Sequence, residues 1–474
     1  MKKSFVLLLA TSMLMHAESV DEALEGFDDT SVNVTQEAVS SSQGDAVDDA
    51  LGGFDDASTD SRQSNTDSTE KKADTGEKKS VLFGGDLTGS LSELFAFSYL
   101  GEKPHNALTV AKITLYLDYE HKFANGWKFK TNAKAYYDLV YDLRDGPYAE
   151  EEKDAYRSEV RLYDAYLEGS LRDDLDFKIG RQVVVWGRSD TIRITDVLNP
   201  LDNRRPALVD IEDLRLPVGM AKLDYYLGKW RVTPIAIFEQ QFTLNPPYGS
   251  AFYPAPFKAP DDKSYHGLTY ALSVGGEFSG WDVNFYAARI RQDNGYIPLP
   301  LSPASKIVHE KITMQGAAFN YLSGSWLLKG EVAHFDGLKY TFAPGKSFDR
   351  TDALIGTEYN GIADTMISYD FSVRHIHDYD PALLKELQPL KQNTYQHAFR
   401  VRTDFLNATL HANYLISLFG NRGDEGGFQR LWGEYEINDD LKFTAGVIDY
   451  IGGSKFFDKI HNNDMLFMEL SYSF

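Results

Sequence analysis

The sequence predicts an all-β fold: a transmembrane antiparallel β-barrel of about eighteen strands (roughly sixteen to eighteen), preceded by a disordered N-terminal periplasmic tail. Three observations carry this. Apolar and polar residues alternate with period two from about Val81 to the end of the chain. Short and long connections between these runs alternate without a break. The last run closes on an aromatic terminus, Phe474.

The chain opens with Lys2 and Lys3, an apolar run from Phe5 to Met15, and small residues beyond. Residues 1–17 therefore read as a secretory signal peptide, with cleavage after Ala17 or Ser19, and the run is too short for an anchor. The 474 residues include no cysteine. An exported chain without cysteine has no disulfide framework and no thiol chemistry. No later stretch reaches the roughly 18 uninterrupted apolar residues of a transmembrane helix. A soluble periplasmic enzyme and an outer-membrane barrel both survive these points, and an aromatic share of 13 % leans toward the barrel. No nucleic-acid partner is expected of a chain with a formal net charge of −22.

Residues 18–79 contain seventeen acids and five bases, a net charge of about −12, with few apolar residues. Such a segment is expected to be disordered. It holds a repeat: the stretch 20–29 recurs as 47–56. Val20, Leu24 and Phe27 share a helical face, and Val47, Leu51 and Phe54 repeat it. The repeat is either a duplicated low-complexity spacer or two copies of a linear motif that folds on a partner.

From residue 80 to 474 the alternation is that of a barrel. Ala111, Ile113, Leu115, Leu117 and Tyr119 oppose Lys112, Thr114, Tyr116, Asp118 and Glu120. Ile367, Tyr369, Phe371 and Val373 oppose Ser368, Asp370, Ser372 and Arg374. Short turns are expected at Asn125-Gly126, Arg172-Asp173-Asp174, Gly228-Lys229, Ser279-Gly280, Ser323-Gly324, Asn360-Gly361, Leu406-Asn407 and Asn438-Asp439-Asp440. Longer connections fall near 142–156, 188–214, 244–265, 294–308, 337–350, 378–395 and 420–426. Outer-membrane barrels alternate periplasmic turns and extracellular loops in this way. In the last run Leu466, Met468, Leu470, Tyr472 and Phe474 face one side, as in the closing strand read by barrel-assembly machinery. Trp127, Tyr137, Tyr141, Tyr225, Trp281 and Trp326 suit interfacial girdles in contact with outer-membrane lipid.

Chemistry-bearing motifs are sparse. The sequence has no Gly-x-Ser-x-Gly elbow and no His-Glu-x-x-His helix. His375 and His377 share a strand face but read as a rim pair rather than a metal site. No catalytic residue, metal or cofactor is assigned. The lumen-facing set mixes bases, among them Lys222, Arg374, Arg400 and Arg402, with acids, whereas a selective anion pore would show one sign. Three outer connections, 245–257, 296–303 and 340–344, are apolar and proline-rich. They are either exposed binding surface or an inward-packed plug.

One connection stands apart. After the run Phe177 to Arg188, with Arg181, Gln182 and Trp186, comes a long polar turn in which acids and arginines alternate. It holds Arg188, Asp190, Arg193, Asp196, Asn199, Asp202, Arg204, Arg205, Asp210, Asp213 and Arg215. Paired charges of this density predict an ordered, salt-bridged loop that narrows the pore, since removing one partner of a partly buried pair is costly.

The stretches Gly180-Arg181-Gln182, 185–190, 196–202 and 210–217 resemble the signature of an uncharacterised proteobacterial family of outer-membrane barrels, domain of unknown function 1302. The resemblance covers about Val81 to Phe474 and is specific at residues 177–226. It implies an outer-membrane barrel. It also implies an association with inner-membrane exporters of the resistance-nodulation-division type, which move lipids or other hydrophobic compounds. It supplies no catalytic residues. The expected function is passage of a hydrophobic or amphipathic solute across the bacterial outer membrane, with such an exporter or a periplasmic carrier as partner and the tail in the periplasm. The alternatives are a general or polysaccharide-conducting porin, an outer-membrane hydrolase, and a structural or adhesion barrel.

Overall fold

The computed structural model describes residues 80–82, 84–208, 214–300, 302 and 304–474. The signal-peptide stretch, the tail with Val20, Leu24, Phe27, Val47, Leu51 and Phe54, and the loop acids Asp210 and Asp213 lie outside the described residues.

A short strand, Ser80–Leu82 (β1), pairs with the start of Gly85–Ser98 (β2) through Leu82↔Gly85. The barrel continues with Ala107–Lys122 (β3), Lys128–Asp138 (β4), Ser158–Arg172 (β5), Leu175–Gln182 (β6), Val218–Leu227 (β7) and Trp230–Ile237 (β8). Thr269–Phe278 (β9), Trp281–Arg291 (β10), Lys311–Ser323 (β11), Trp326–Leu338 (β12), Phe348–Ile362 (β13) and Thr365–Ile376 (β14) follow. Asn393–Phe405 (β15), Leu410–Phe419 (β16), Gly427–Asn438 (β17), Leu441–Ile451 (β18) and Met465–Ser473 (β19) complete it. Each strand pairs antiparallel with the next, and β19 returns to β2 from Met465↔Ser98 to Ser473↔Ser90. The strands β2 to β19 thus form a closed ring of eighteen. The terminal residue extends the seam: Phe474 N donates to Gly89 O, and Gly89 N to Phe474 O, both at 2.9 Å. Closure leaves no unpaired edge, which a hydrocarbon environment requires.

The period-two pattern sorts the side chains. Ile113, Leu115, Phe319, Ile355, Leu431 and Leu466 are exposed on the outer face. Thr114, Lys178, Lys222, Asp352, Asp370 and Ser372, on alternate positions, are buried inside. An apolar belt around a closed barrel is a membrane surface. Among the described residues no helix is long and apolar enough to cross a membrane. Trp127, Trp230, Trp281 and Trp326 each stand beside a short turn. There Trp281 stacks on Phe278 at 4.1 Å and Trp326 packs on Tyr359 at 4.5 Å, an interfacial girdle at that end.

Three sequence expectations are corrected. The turn placed at Asn360-Gly361 lies three residues later, at Ala363-Asp364, between Ile362 and Thr365. A register shift between Tyr359 and Ile362 absorbs the Asn-Gly pair, and Asp364 takes the positive φ of 53°. Tyr141 is not a girdle residue: β4 ends at Asp138, and Tyr141 sits on the helix Val140–Leu143 with its hydroxyl donating to Glu152 at 3.2 Å. Finally, the inner face is not polar throughout. One buried apolar cluster joins inward residues of β7 to β15 with Val184, Trp186, Ile192, Ile194 and Leu198 of a loop. A second joins Leu94, Ala96, Val110, Trp432, Ile448, Tyr450, Met465 and Phe467 with loop residues Leu208 and Phe252.

Candidate functional site: an inward-folded loop and an apolar inner wall

The connection from β6 to β7, residues 183–217, leaves the wall late. Alternation continues past Gln182, with Val184 and Trp186 buried inward and Val185 exposed outward. The chain turns inward at Gly187, whose φ is +99° and whose Cβ, if present, would lie 3.0 Å from Glu331 Oε2. Only glycine fits there without strain. Trp186 stacks on Tyr286 of β10 at 4.6 Å with 24° between planes.

The barrel wall then holds the loop by its acids. Glu331 of β12 accepts from Arg188 N (2.6 Å) and Ser189 N (3.0 Å) at Oε1. Its Oε2 accepts from Thr195 N (3.2 Å) and Thr195 Oγ1 (2.8 Å). Asp370 of β14 accepts from the hydroxyls of Ser189 (2.6 Å) and Thr191 (2.7 Å). The Arg188 guanidinium pairs with Asp282 of β10, and Lys329 of β12 reaches Asp190 at 3.4 Å. Ile192 and Ile194 are each 2 % exposed and press into the first apolar cluster. Polar anchors and apolar feet thus alternate along one short segment.

Inside the loop, Asp196 Oδ2 accepts from both Arg193 Nε and Arg215 Nε at 2.9 Å. Asn199 ties start to end: its Oδ1 accepts from Val184 N (2.8 Å), and its Nδ2 donates to Gln182 O (3.2 Å) and Leu216 O (2.9 Å). Further along, Arg204 bridges Asp202 (2.6 Å) and Glu159 of β5 (2.7 Å). Burial disfavours the charge on Asp202, but the Arg204 guanidinium more than offsets this and holds the carboxyl below its ordinary range. Arg205 Nη2 donates to Asp138 of β4 at 3.0 Å, and the guanidinium lies 4.5 Å from the Tyr156 ring centroid. Burial opposes the Arg205 charge as well, yet Asp138 beside it leaves the pKa above the ordinary arginine value.

The structure therefore brings together Gln182, Trp186, Arg188, Asp190, Arg193, Asp196, Asn199 and Arg215, with Arg374 of β14 donating to Arg193 O at 3.4 Å. Asp202, Arg204 and Arg205 form a second group against β4 and β5. The remaining predicted residues sit elsewhere. Arg181 points outward: it lies in register with Ala165 and Gly219, on the exposed row of Ile179, and pairs with Glu239 at 2.5 Å. Strict alternation puts Gln182 inside, so its neighbour cannot be. Lys222 pairs with Asp224 at 3.3 Å in the wall. Arg400 and Arg402 lie near the short-turn end of β15. The loop arginines also do not all pair with loop acids, since Arg188 and Arg205 go to the wall. Sequence reasoning missed Ser189, Thr191, Thr195, Asp282, Tyr286, Glu331 and Asp370 as anchors. The available signal was an acid at an inward position of β10, β12 and β14.

The three apolar connections behave differently. In the first, Phe252 and Ala255 are buried, with Phe252 packed 5.4 Å from Tyr450, while Phe257 is exposed. In the second, Leu299 is exposed. In the third, Ala343 is buried and Phe342 exposed. His375 and His377 face outward at the rim, rings 4.8 Å apart, hydrogen bonded to Asn393 (2.7 Å) and Thr351 (2.8 Å) respectively.

No curated protein matches the chain. Solved structures similar to it include the outer membrane protein opdK from Pseudomonas aeruginosa, at 10 % identity over 82 % of this chain and 98 % of that one, with a TM-score of 0.48. OccAB2 from Acinetobacter baumannii gives 10 % identity over 84 % and 99 %, with a TM-score of 0.48. A loop L8 deletion mutant of OmpT, an outer membrane protein of Vibrio cholerae, gives 10 % over 82 % and 99 %, with a TM-score of 0.41. The chain belongs to the family described as "Protein of unknown function (DUF1302)", whose model matches residues 4–474.

Proposed function

We propose that this outer-membrane barrel carries a hydrophobic or amphipathic solute across the outer membrane. The observation behind this is the apolar stripe on the inner wall. Leu94, Ala96, Val110, Trp432, Ile448, Tyr450, Met465 and Phe467 face inward on the adjoining strands β2, β3 and β17 to β19. A water-filled barrel needs a polar lining, and each large apolar side chain left wet costs about 1.5–3 kcal/mol. Leu208 and Phe252 cover the stripe, and an apolar solute replaces that cover without wetting the wall. The loop 183–217, held by Arg188, Asp190, Arg193, Asp196, Asn199 and Arg215, is the constriction of this path.

A general porin is the second reading. Lys128 and Lys178 flank Glu168 at 2.6 and 3.4 Å, and Lys130 meets Asp118 at 3.3 Å, a mixed-charge lining near the short-turn end that favours water. The short-turn end is taken as periplasmic. The tail reaches an exporter or periplasmic carrier from there, with Val20, Leu24, Phe27 and their repeats Val47, Leu51, Phe54 as the contact. Two weak copies on one chain raise the effective concentration of the second contact. Phe27→Ser with Phe54→Ser is expected to abolish in-cell crosslinks to that partner while barrel assembly persists.

The deciding experiment compares accumulation of neutral apolar compounds in cells with the protein, without it, and with Leu94→Asn plus Ile448→Asn. Faster accumulation that the double variant loses supports the reading. Equal accumulation in all three, together with a large steady conductance of the purified protein in planar bilayers, replaces it with the porin.

A further inference from the structure

At the long-loop end, inside the barrel, a pocket open to solvent lies between the inner wall and the inward loops, with about 510 Å³ of empty space when the open solvent is counted. Val110, Pro206, Leu208, Phe252, Tyr450 and Met465 are among the residues that line it. One donor on its lining has no partner. Arg205 spends Nη2 on Asp138 at 3.0 Å, whereas its Nη1 is buried without a hydrogen-bond partner. An unmet N–H of a buried guanidinium is costly, and its natural complement is an anion with two oxygens.

The acids nearby do not compete for that donor. Asp138 is fully buried and also accepts from Ala111 N (2.9 Å) and Val140 N (3.2 Å). Glu152, also in the lining, is held by His105 at 2.9 Å and by the Tyr141 hydroxyl at 3.2 Å. Burial pushes the Tyr141 phenol far up, so it remains a neutral donor to Glu152. Lys112 lies directly opposite Asp138 in the β3–β4 register and adds a second cation. The side of the cavity at Arg205 therefore carries the cation, Glu152 with His105 and Tyr141 forms a separate polar group already satisfied among itself, and Val110, Leu208, Phe252 and Met465 supply apolar surface.

The apolar surface does not stop at the cavity. Two residues further toward the short-turn end on each strand stand Ile448, after Tyr450, and Phe467, after Met465, with Leu94 beyond Ala96 on β2. Two residues of strand advance about 7 Å, so the stripe gives a chain somewhere dry to lie. We infer that the cavity binds a single-chain alkyl carboxylate, its head on Arg205 Nη1 and its chain along Phe252, Met465 and the stripe below. This rests on the passage reading above and gives it a substrate class. A neutral apolar molecule satisfies the wall but not the arginine, and a small carboxylate satisfies the arginine but not the wall.

The test uses the full-length protein in lipid nanodiscs, titrated calorimetrically with decanoate, 1-decanol and acetate. Decanoate is expected to bind saturably, and the other two about tenfold or more weaker, the loss that follows from one charge-assisted hydrogen bond or from the chain. Arg205→Lys keeps a cation for Asp138 but lacks the second nitrogen. It is expected to weaken decanoate about tenfold and leave 1-decanol unchanged, in a barrel that still shifts mobility on unheated gels. Ala251→Trp fills the cavity and is expected to abolish both. Equal affinity of decanoate and 1-decanol, or decanoate binding unmoved by Arg205→Lys and Ala251→Trp, overturns the assignment. If that happens while neutral apolar compounds still accumulate through the barrel, the passage reading stands and only the anionic head is wrong. Decanoate binding as expected with no accumulation of any apolar compound leaves the site and removes the passage.

Discussion

Glu331→Gln tests whether the wall acids hold the inward loop. The carboxylate divides its four hydrogen bonds evenly: Oε1 takes Arg188 N and Ser189 N, and Oε2 takes Thr195 N and Thr195 Oγ1. Glutamine has the same shape but one acceptor oxygen. Whichever way its amide turns, one pair of donors faces an NH2 group. Hydrogen bonds to a charged group contribute about 1.5–3 kcal/mol each, so losing two biases the loop toward release by about 3–6 kcal/mol. The lower end applies if the Thr195 hydroxyl finds another acceptor. Asp370 still grips Ser189 and Thr191, and Ile192 and Ile194 remain buried, so release is local rather than global. A shift of 3 kcal/mol corresponds to roughly a hundredfold loss of amide protection. Hydrogen exchange read at Arg188, Ser189 and Thr195 in the folded barrel measures it, and single-channel recordings should show larger, noisier openings. Unchanged protection at those three amides, with unchanged conductance, refutes the claim that Glu331 anchors the loop.

Deleting Phe474 removes both hydrogen bonds to Gly89 that extend the closing seam and is expected to cut the yield of heat-modifiable barrel; normal yield would show that the seam closes without it. Glu93 stands on the outer face in register with Leu470 and Ile113, and a carboxyl in the lipid-facing belt is costly, so Glu93→Leu is expected to stabilise the barrel by on the order of 1–2 kcal/mol in urea unfolding from lipid vesicles, with no gain counting against its placement. Burial, reinforced by the neighbouring Asp449 charge, pushes the Asp464 carboxyl up to about 6. The folded protein therefore takes up a proton that the unfolded chain lacks between about pH 4 and 6. The resulting stability is present at acid pH and lost as the pH rises through 6, and Asp464→Asn should remove this dependence from the thermal midpoint measured across that range.

The barrel was legible because a half-buried strand writes its two environments into every second residue. Leu466, Met468, Leu470, Tyr472 and Phe474 were placed together on the strength of spacing alone, and the register of β19 with β2 bears this out. Turn chemistry located most hairpins for the same local reason, and failed at Asn360-Gly361 because a bulge in β13 consumed the signal. The charged loop was recognisable as ordered, but its partners were not. Arg188 is 94 residues from Asp282, and its backbone N–H is 143 residues from Glu331. Nothing local in the loop says whether an arginine turns to the aspartate beside it or to a wall strand distant in the chain, before it as for Arg205 or after it as for Arg188. Arg193 and Arg215 chose Asp196 within the loop, while Arg188 and Arg205 chose the wall. The apolar inner stripe was hidden for a related reason. Alternation separates the two faces of a strand only when one is polar, and where Val110, Ile448 and Phe467 face inward opposite an equally apolar belt, the period-two contrast vanishes. The stretches where alternation blurs into a continuous apolar run are thus the ones that line the proposed path, and the loss of the strand signal there is itself the sequence mark of the site.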